Sequence, residues 1–266
     1  MEEPLEIRVG HTSPAGYITT SVSITMRTPG EDRELAAGFL LSEGIVTRSA
    51  DLASVIVSAK PNANIVRADL APSVPFTPEA QSRHFYTTSS CGICGKASLE
   101  AIAVRGLKPL PRNALQFPSL LIHRLPTALR QAQATFSATG GLHASALFDS
   151  SGSLLSICED VGRHNALDKL LGRELLAGRT PLHNRLVLVS GRSSFELVQK
   201  CIAGGVSILA SVGAPSSLAV ELAKDWDLTL LGFVRNGRYN IYSGKWRIIH
   251  EAQNAAELNQ APADQE

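Results

Sequence analysis

Thiols are scarce in this chain, with four cysteines among 266 residues. So few argue against the disulfide framework of a small secreted scaffold. An excess of either charge is missing too. The 25 Lys and Arg nearly balance the 24 Asp and Glu, leaving a net charge of +1. That balance argues against a nucleic-acid footprint or a polybasic membrane face. No apolar run approaches the roughly 18 residues of a membrane span. The opening stretch MEEPLEIRVG is acidic and lacks the basic, apolar and small-residue regions of a signal peptide. These absences point to the cytoplasm, where thiols stay reduced. Repeats of solenoid length are also absent. What the chain does have is 44% apolar residues, enough to bury the core of one large or two modest domains.

The first segments, LEIRVG and YITTSVSITMRT, read as strands. TPGEDRELAAGFLLSEGIV reads as a helix with Leu35, Phe39 and Leu40 on one face and Gly44 at its end. LASVIVSA and IVRADL read as further strands, and Ala71 to Ser90 as a proline-rich loop. Pro109, Pro111 and Pro118 mark the best domain boundary. PSLLIHRLPTALRQAQATFSA is helical by pattern with an interruption at Pro126, and ASALFDSSGSLLSICED reads as a hairpin turning at Ser150 to Gly152. Asp160 is the candidate N-cap of a helix VGRHNALDKLLG. Strands RLVLVS, VSILASV and LTLLGFV then alternate with helices. That alternation predicts an α/β fold with a largely parallel sheet covered on both faces. Asn236-Gly237 predicts a closing antiparallel hairpin. Residues 251–266 are polar and read as a frayed tail.

Two of the four cysteines, Cys91 and Cys94, lie in TTSSCGICGKASLEAIA, each followed by glycine. The segment after them, GKASLEAIA, has helical spacing, which places the pair at a helix N-terminus. Unpaired N–H groups there favour the thiolate, the form that attacks sulfur or binds metal. Three uses stay open on these residues: half of a zinc site, a dithiol redox couple, or sulfur relay through a persulfide. Zinc lacks obvious further ligands, because Cys158 and Cys201 are single residues inside regular elements and no His pair has finger spacing. Those two read as buried small hydrophobes. A zinc deaminase is disfavoured, because His143-Ala144-Ser145 lacks the required Glu and follows the Cys pair.

A second constellation suits anions. Two strand-to-helix turns, Gly191 to Ser194 and Gly213 to Ser217, carry Gly and Ser. They read either as phosphate-binding helix starts or as well-capped connectors. Phe233 to Arg238 sets two arginines around a tight turn. With Arg192, the three loops favour a nucleotide-like ligand. Glu159, Asp160, Arg163 and His164 add titratable groups, and His164 reads as a general base, a phosphate donor or a structural residue.

SSCGICGKASLEAI, TGGLHASAL, EDVGRHNALDKLLG, GRSSFELVQK and GFVRNGRYNIY occur in that order. Together with TPGEDRELAAGFLLSEGI they resemble the FdhD family, the accessory sulfurtransferases of formate dehydrogenase. The resemblance runs from about Pro4 to Ile249. It implies a cytidine-deaminase-like three-layer C-terminal domain and a smaller α+β N-terminal domain. With the proline-marked boundary, the division is 1–110 for the small domain with a mobile Cys loop, 111–250 for the large one, and 251–266 for the tail. It implies a homodimer that takes persulfide sulfur from a cysteine desulfurase. The acceptor is the molybdenum bis(molybdopterin guanine dinucleotide) cofactor destined for formate dehydrogenase, and a guanine nucleotide could mimic it. Carried over by motif, Cys91 bears the persulfide and Cys94 supports it. Phe233, Val234, Arg235, Asn236, Gly237 and Arg238 fall on the family's cofactor-binding segment. The alternatives are a cofactor-binding chaperone without sulfur transfer, and a dithiol redox protein.

Overall fold

The computed structural model describes residues 2–14, 16–59, 63–78, 107–113 and 115–250. Cys91, Cys94, the helix expected after them and the 251–266 tail lie outside the described residues.

The N-terminal part begins with β1 (Glu3–Ser13) and β2 (Gly16–Arg27), then α1 (Asp32–Ser42), β3 (Leu52–Val57) and β4 (Ile65–Leu70). Strand β1 alternates, with Leu5, Ile7 and Val9 buried and Glu6 and Arg8 on the other face. The four strands form one sheet in the order β2-β1-β4-β3. Pairing is antiparallel except between β1 and β4, which run parallel. Helix α1 ends where its sequence indicates. The Gly44 N–H bonds the Leu41 carbonyl, and Gly44 takes φ +70°, a conformation glycine adopts without a Cβ clash.

The rest of the described chain adds β5 (Phe117–Pro118) and three short helices, α2 (Ser119–Ile122), α3 (Leu125–Ala132) and α4 (Ala134–Thr139). The expected interruption is present, and Pro126 sits in the first turn of α3, where its missing N–H costs nothing. A hairpin, β6 (His143–Phe148) and β7 (Leu154–Asp160), leads to α5 (Arg163–Leu176). Then come β8 (Leu186–Val189), α6 (Phe195–Ala203), β9 (Ile208–Ser211), α7 (Ser217–Asp225), β10 (Thr229–Arg235), β11 (Arg238–Ser243) and β12 (Ile248–Ile249). The second sheet has the order β11-β10-β9-β8-β6-β7. Only the β8–β9 and β9–β10 pairs are parallel, and the other three are antiparallel. The expectation of a largely parallel sheet is therefore corrected to a mixed one. Hairpins at both ends of the chain segment add antiparallel strands outside the α/β repeats.

This sheet is buried on both faces. Along β8, Leu186 and Leu188 face Phe117, Ile122, Leu125 and Leu129, while Val187 and Val189 face the opposite core. That opposite core joins Leu167, Leu170 and Leu171 of α5 and Leu197 and Val198 of α6 to Leu35 and Leu40 of α1. It continues without a break to Leu5, Ile7 and Val66 of the first sheet. Helices α1 and α5 cross closely enough that a Cβ on Gly38 would lie 1.8 Å from the Asp168 carbonyl oxygen, and one on Gly172 1.9 Å from that of Glu34. The proline-marked stretch is stitched down as well. Leu110 N–H bonds the Trp226 carbonyl, and the fully buried Arg247 guanidinium donates to the Pro111 carbonyl at 2.8 Å.

Candidate functional site

The carboxyl ends of β7, β8, β9 and β10 and the amino end of β6 share one edge of the second sheet. His143, the Asp160 to His164 turn, the Gly191 to Ser194 and Gly213 to Ser217 loops and the Phe233 to Arg238 hairpin therefore come together there. Open α/β sheets bind ligands at such an edge.

The rim is built by pairing that continues past the strands. Ser190 ties β8 to β6, its hydroxyl accepting from Ala144 N–H at 2.9 Å. Gly213 N–H donates to Gly191 O at 3.0 Å, Ser193 N–H to Ala214 O at 3.2 Å, Ser216 N–H to Ser193 O at 3.0 Å, and Phe233 N–H to Gly213 O at 3.0 Å. The Ser193, Gly213 and Ser216 N–H groups are thus used by neighbouring loops, which favours the connector reading of both serine turns over the phosphate-binding one. Ser216 is a helix cap, accepting from Ala219 N–H at 3.2 Å. Ser194 instead turns its hydroxyl towards His164 and Glu196, at 3.2 Å and 3.1 Å.

The acidic pair also separates. Asp160 is not an N-cap: α5 begins at Arg163 after Gly162, and the Asp160 carboxylate is fully buried. It pairs with Lys169 at 2.8 Å and accepts from Gly162 N–H at 2.9 Å, Thr28 N–H at 3.1 Å and Asn165 Nδ2 at 3.1 Å. Glu159 caps α4, accepting from Thr135 and Phe136 N–H at 2.9 Å and 2.8 Å. Neither carboxylate is placed for acid–base work on a ligand.

His164 Nε2 lies 2.9 Å from Glu196 and 3.2 Å from Ser194 Oγ. Its hydrogen bond holds the Glu196 carboxyl below its ordinary value. Carboxylate and hydroxyl share one ring nitrogen, so this is no nucleophile relay, which needs the carboxylate on the other nitrogen. His143 is half-buried; burial first, then the charges of Arg163 and His164, hold its imidazole below the ordinary histidine value. It is neutral at pH 7.

The hairpin presents the expected arginines. Asn236 and Gly237 take φ +53° and +69°, the two positive values a tight two-residue turn requires. Arg235, Asn236, Gly237 and Arg238 are exposed, and the Arg235 guanidinium lies 5.6 Å from the Phe233 ring centre. Phe233 itself takes φ +55°, held by its bond to Gly213. A Cβ on Gly232 would meet Pro215 and Tyr242 at 2.8 Å, so the strand can pass only as glycine. Val234 is fully buried in the core between β10 and the short helices, which leaves only its backbone to meet a ligand. Among the described residues no carboxylate pairs with Arg163, Arg192, Arg235 or Arg238, while the acids nearby are already engaged. The edge is net positive.

Cys158 and Cys201 are buried, as their positions indicate, and burial pushes the Cys158 thiol up to about 12 and the Cys201 thiol up as well. Among the described residues no three His, Cys, Asp or Glu side chains converge to hold a metal, and no helix is long and apolar enough to cross a membrane. A cleft of about 830 Å³ lined by Leu155, Arg179, His183 and Arg185 lies at the opposite edge, by the amino end of β8, away from these groups. Sequence reasoning missed His143 as a member of the edge. It weighed His143 only against a deaminase motif and within TGGLHASAL, because the direction of the strand that His143 opens is not revealed by the sequence.

The model of the FdhD/NarQ family matches residues 1–249. The chain is 47% identical over 263 residues to a Streptomyces avermitilis protein named sulfur carrier protein FdhD, covering 96% of this chain and 90% of that one. A Mycobacterium tuberculosis protein of the same name is 44% identical over 257 residues, covering 93% and 90%. A crystal structure from Desulfotalea psychrophila, of a protein assigned as a formate dehydrogenase accessory protein, shares the fold at TM-score 0.69 and 23% identity. It aligns over 94% of this chain and 89% of that one.

Proposed function

Because this chain belongs to the FdhD/NarQ family, we propose that it is a sulfur carrier that matures formate dehydrogenase in the cytoplasm. The observation that carries the reading is its identity over nearly its whole length with proteins named as sulfur carriers. In this reading Cys91 thiolate attacks the outer sulfur of a persulfide on a cysteine desulfurase. An S–S bond forms on Cys91, the donor's S–S bond breaks, and the donor leaves as thiolate. The acceptor is the bis(molybdopterin guanine dinucleotide) molybdenum cofactor as substrate. The net positive edge supports this placement, since it suits the phosphates of a dinucleotide. Arg235 and Arg238 contact those phosphates, and Phe233 offers a ring for a planar group. Cys94 attacks the inner sulfur of Cys91, closing a disulfide and releasing hydrosulfide to the metal, and a thiol reductant reopens the pair. The six-stranded sheet with its two helical layers forms the deaminase-like large domain, and the first sheet belongs to the small one. The protein works as a homodimer.

The test is mass spectrometry after incubation with a desulfurase and cysteine. The peptide bearing Cys91 should gain roughly 32 Da, one sulfur atom, and the Cys91→Ala variant should fail to load or to activate formate dehydrogenase. Retained formate dehydrogenase activation by Cys91→Ala would overturn the relay and favour a cofactor-holding chaperone.

A further inference from the structure

Arg163, the first residue of α5, has a buried Nε–H that meets no acceptor among the described residues. A buried guanidinium donor without an acceptor is costly, because the group has lost water and gained nothing. No carboxylate nearby is free to serve it. Glu196, whose carboxylate the Arg163 charge also faces, takes its hydrogen bonds from His164 and Ser194 rather than from Arg163, and Asp160 is held by Lys169. Beside Arg163 stands His143, whose ring makes no hydrogen bond within the described residues. Between the two lies Gly191. A Cβ there would sit 3.3 Å from His143 Nδ1 and 3.9 Å from Arg163 Cδ. Glycine therefore leaves open the floor that any side chain would fill. Two residues on, the Ser193 hydroxyl is 99% buried and has no partner among the described residues. Arg192 adds an exposed cation between these residues.

An unpartnered Arg163 donor and an unbonded His143 ring beside a cleared floor, with no acid hydrogen-bonded to either, describe a place that lacks an anion. We propose that the corner between β6, β7 and β8 is a phosphate subsite, distinct from the β10–β11 hairpin, in which Arg163 and His143 bind one phosphate of a diphosphate ester. The inference rests on the reading of this edge as a dinucleotide site and adds to it which residues grip the diphosphate. The neutral His143 contributes a hydrogen bond, and Arg163 the charge. An arriving phosphate then opposes the groups that keep the imidazole neutral, so its pKa rises on binding. The charges facing His143 are Arg163 and His164, which lower it, and Asp160, which raises it. A residue with only a structural role would show no such ligand-linked shift.

The experiment is calorimetric titration of the full chain with inorganic pyrophosphate, GDP and guanosine, together with NMR titration of the His143 ring. In the wild type, pyrophosphate and GDP bind and raise the His143 pKa, while guanosine does not raise it. Arg163→Gln should weaken pyrophosphate and GDP by about tenfold or more and leave guanosine unchanged. If Arg163→Gln does not fold, Arg163→Lys, which keeps the charge but loses the Nε donor, must weaken pyrophosphate in the same sense. No binding of pyrophosphate to the wild type, or unchanged binding in the Arg163 variants, overturns the subsite. The wider reading fails separately. If GDP binds no more tightly than pyrophosphate and Arg238→Ala changes neither, the dinucleotide reading of the edge is lost, while an Arg163-dependent pyrophosphate site still stands.

Discussion

Replacing Lys169 by Met tests how the positive edge is anchored. The Lys169 ammonium and the Asp160 carboxylate are 1% and 0% exposed and lie 2.8 Å apart. The ammonium also donates to the Thr28 carbonyl at 2.9 Å. Breaking a buried pair from one side costs about 3–5 kcal/mol, because the remaining charge stays buried. Asp160 would keep three donors, from Gly162, Thr28 and Asn165. That puts the loss at the lower end, about 3 kcal/mol. For a chain of this size the midpoint of thermal unfolding should fall by about 6–12 °C. Urea unfolding followed by tryptophan fluorescence and circular dichroism measures the loss, and a thermal scan the midpoint. The Asp160→Asn/Lys169→Met double variant removes the stranded charge. It should be more stable than additivity predicts, by about 1.5 kcal/mol or more. Because Asp160 holds the Gly162 N–H, the single variant should also loosen the turn that delivers Arg163 and His164. A loss under about 1 kcal/mol, or additive behaviour, would refute the argument that this pair is a dry anchor.

Three further outcomes follow from the same geometry. Gly38→Ala and Gly172→Ala should each destabilise by about 3 kcal/mol or more, since each new methyl meets backbone that cannot step aside; a midpoint shift within error in urea would contradict the crossing. Iodoacetamide at pH 8 should leave Cys158 and Cys201 unlabelled in the native protein, since burial raises both thiols, Cys158 to about 12; peptide mapping of native and urea-unfolded samples checks this. His143 is held below its unfolded value by burial and by Arg163 and His164, so its contribution is fully present above about pH 6.5 and is lost as pH falls from there towards the folded pKa. His143→Gln should flatten stability against pH in that window, and an unchanged slope would show that His143 titrates normally.

The local elements and their limits could largely be read from residue order. The Asn236-Gly237 turn, the end of α1 at Gly44, the break near Pro126 and the burial of Cys158 and Cys201 each follow from local backbone or solvation chemistry. The motifs carried the family, because five of them in order over most of the chain are specific where any one alone is not. The misreadings share a cause. Asp160 has the type and place of a cap, yet a lysine nine residues later takes it into the interior. Glu159, next to it, faces the other way and caps α4, because neighbours on a strand point to opposite sides. The Gly-Ser loops read equally as phosphate cradles or as connectors until the fold pairs the Ser193, Gly213 and Ser216 N–H groups with neighbouring loops.

Local periodicity and turn chemistry act within a few residues, so one chain suffices to determine most of the strands, the helices and the turns that join them. Which strands lie side by side is decided by contacts between distant residues. The parallel match of β1 with β4, the antiparallel insertion of β6 beside β8 and the glycine crossing of α1 on α5 are all of that kind. Only that assembly brings His143 to Arg163 and leaves their edge without a free acid, because charge balance at a site depends on which groups the fold has already paired.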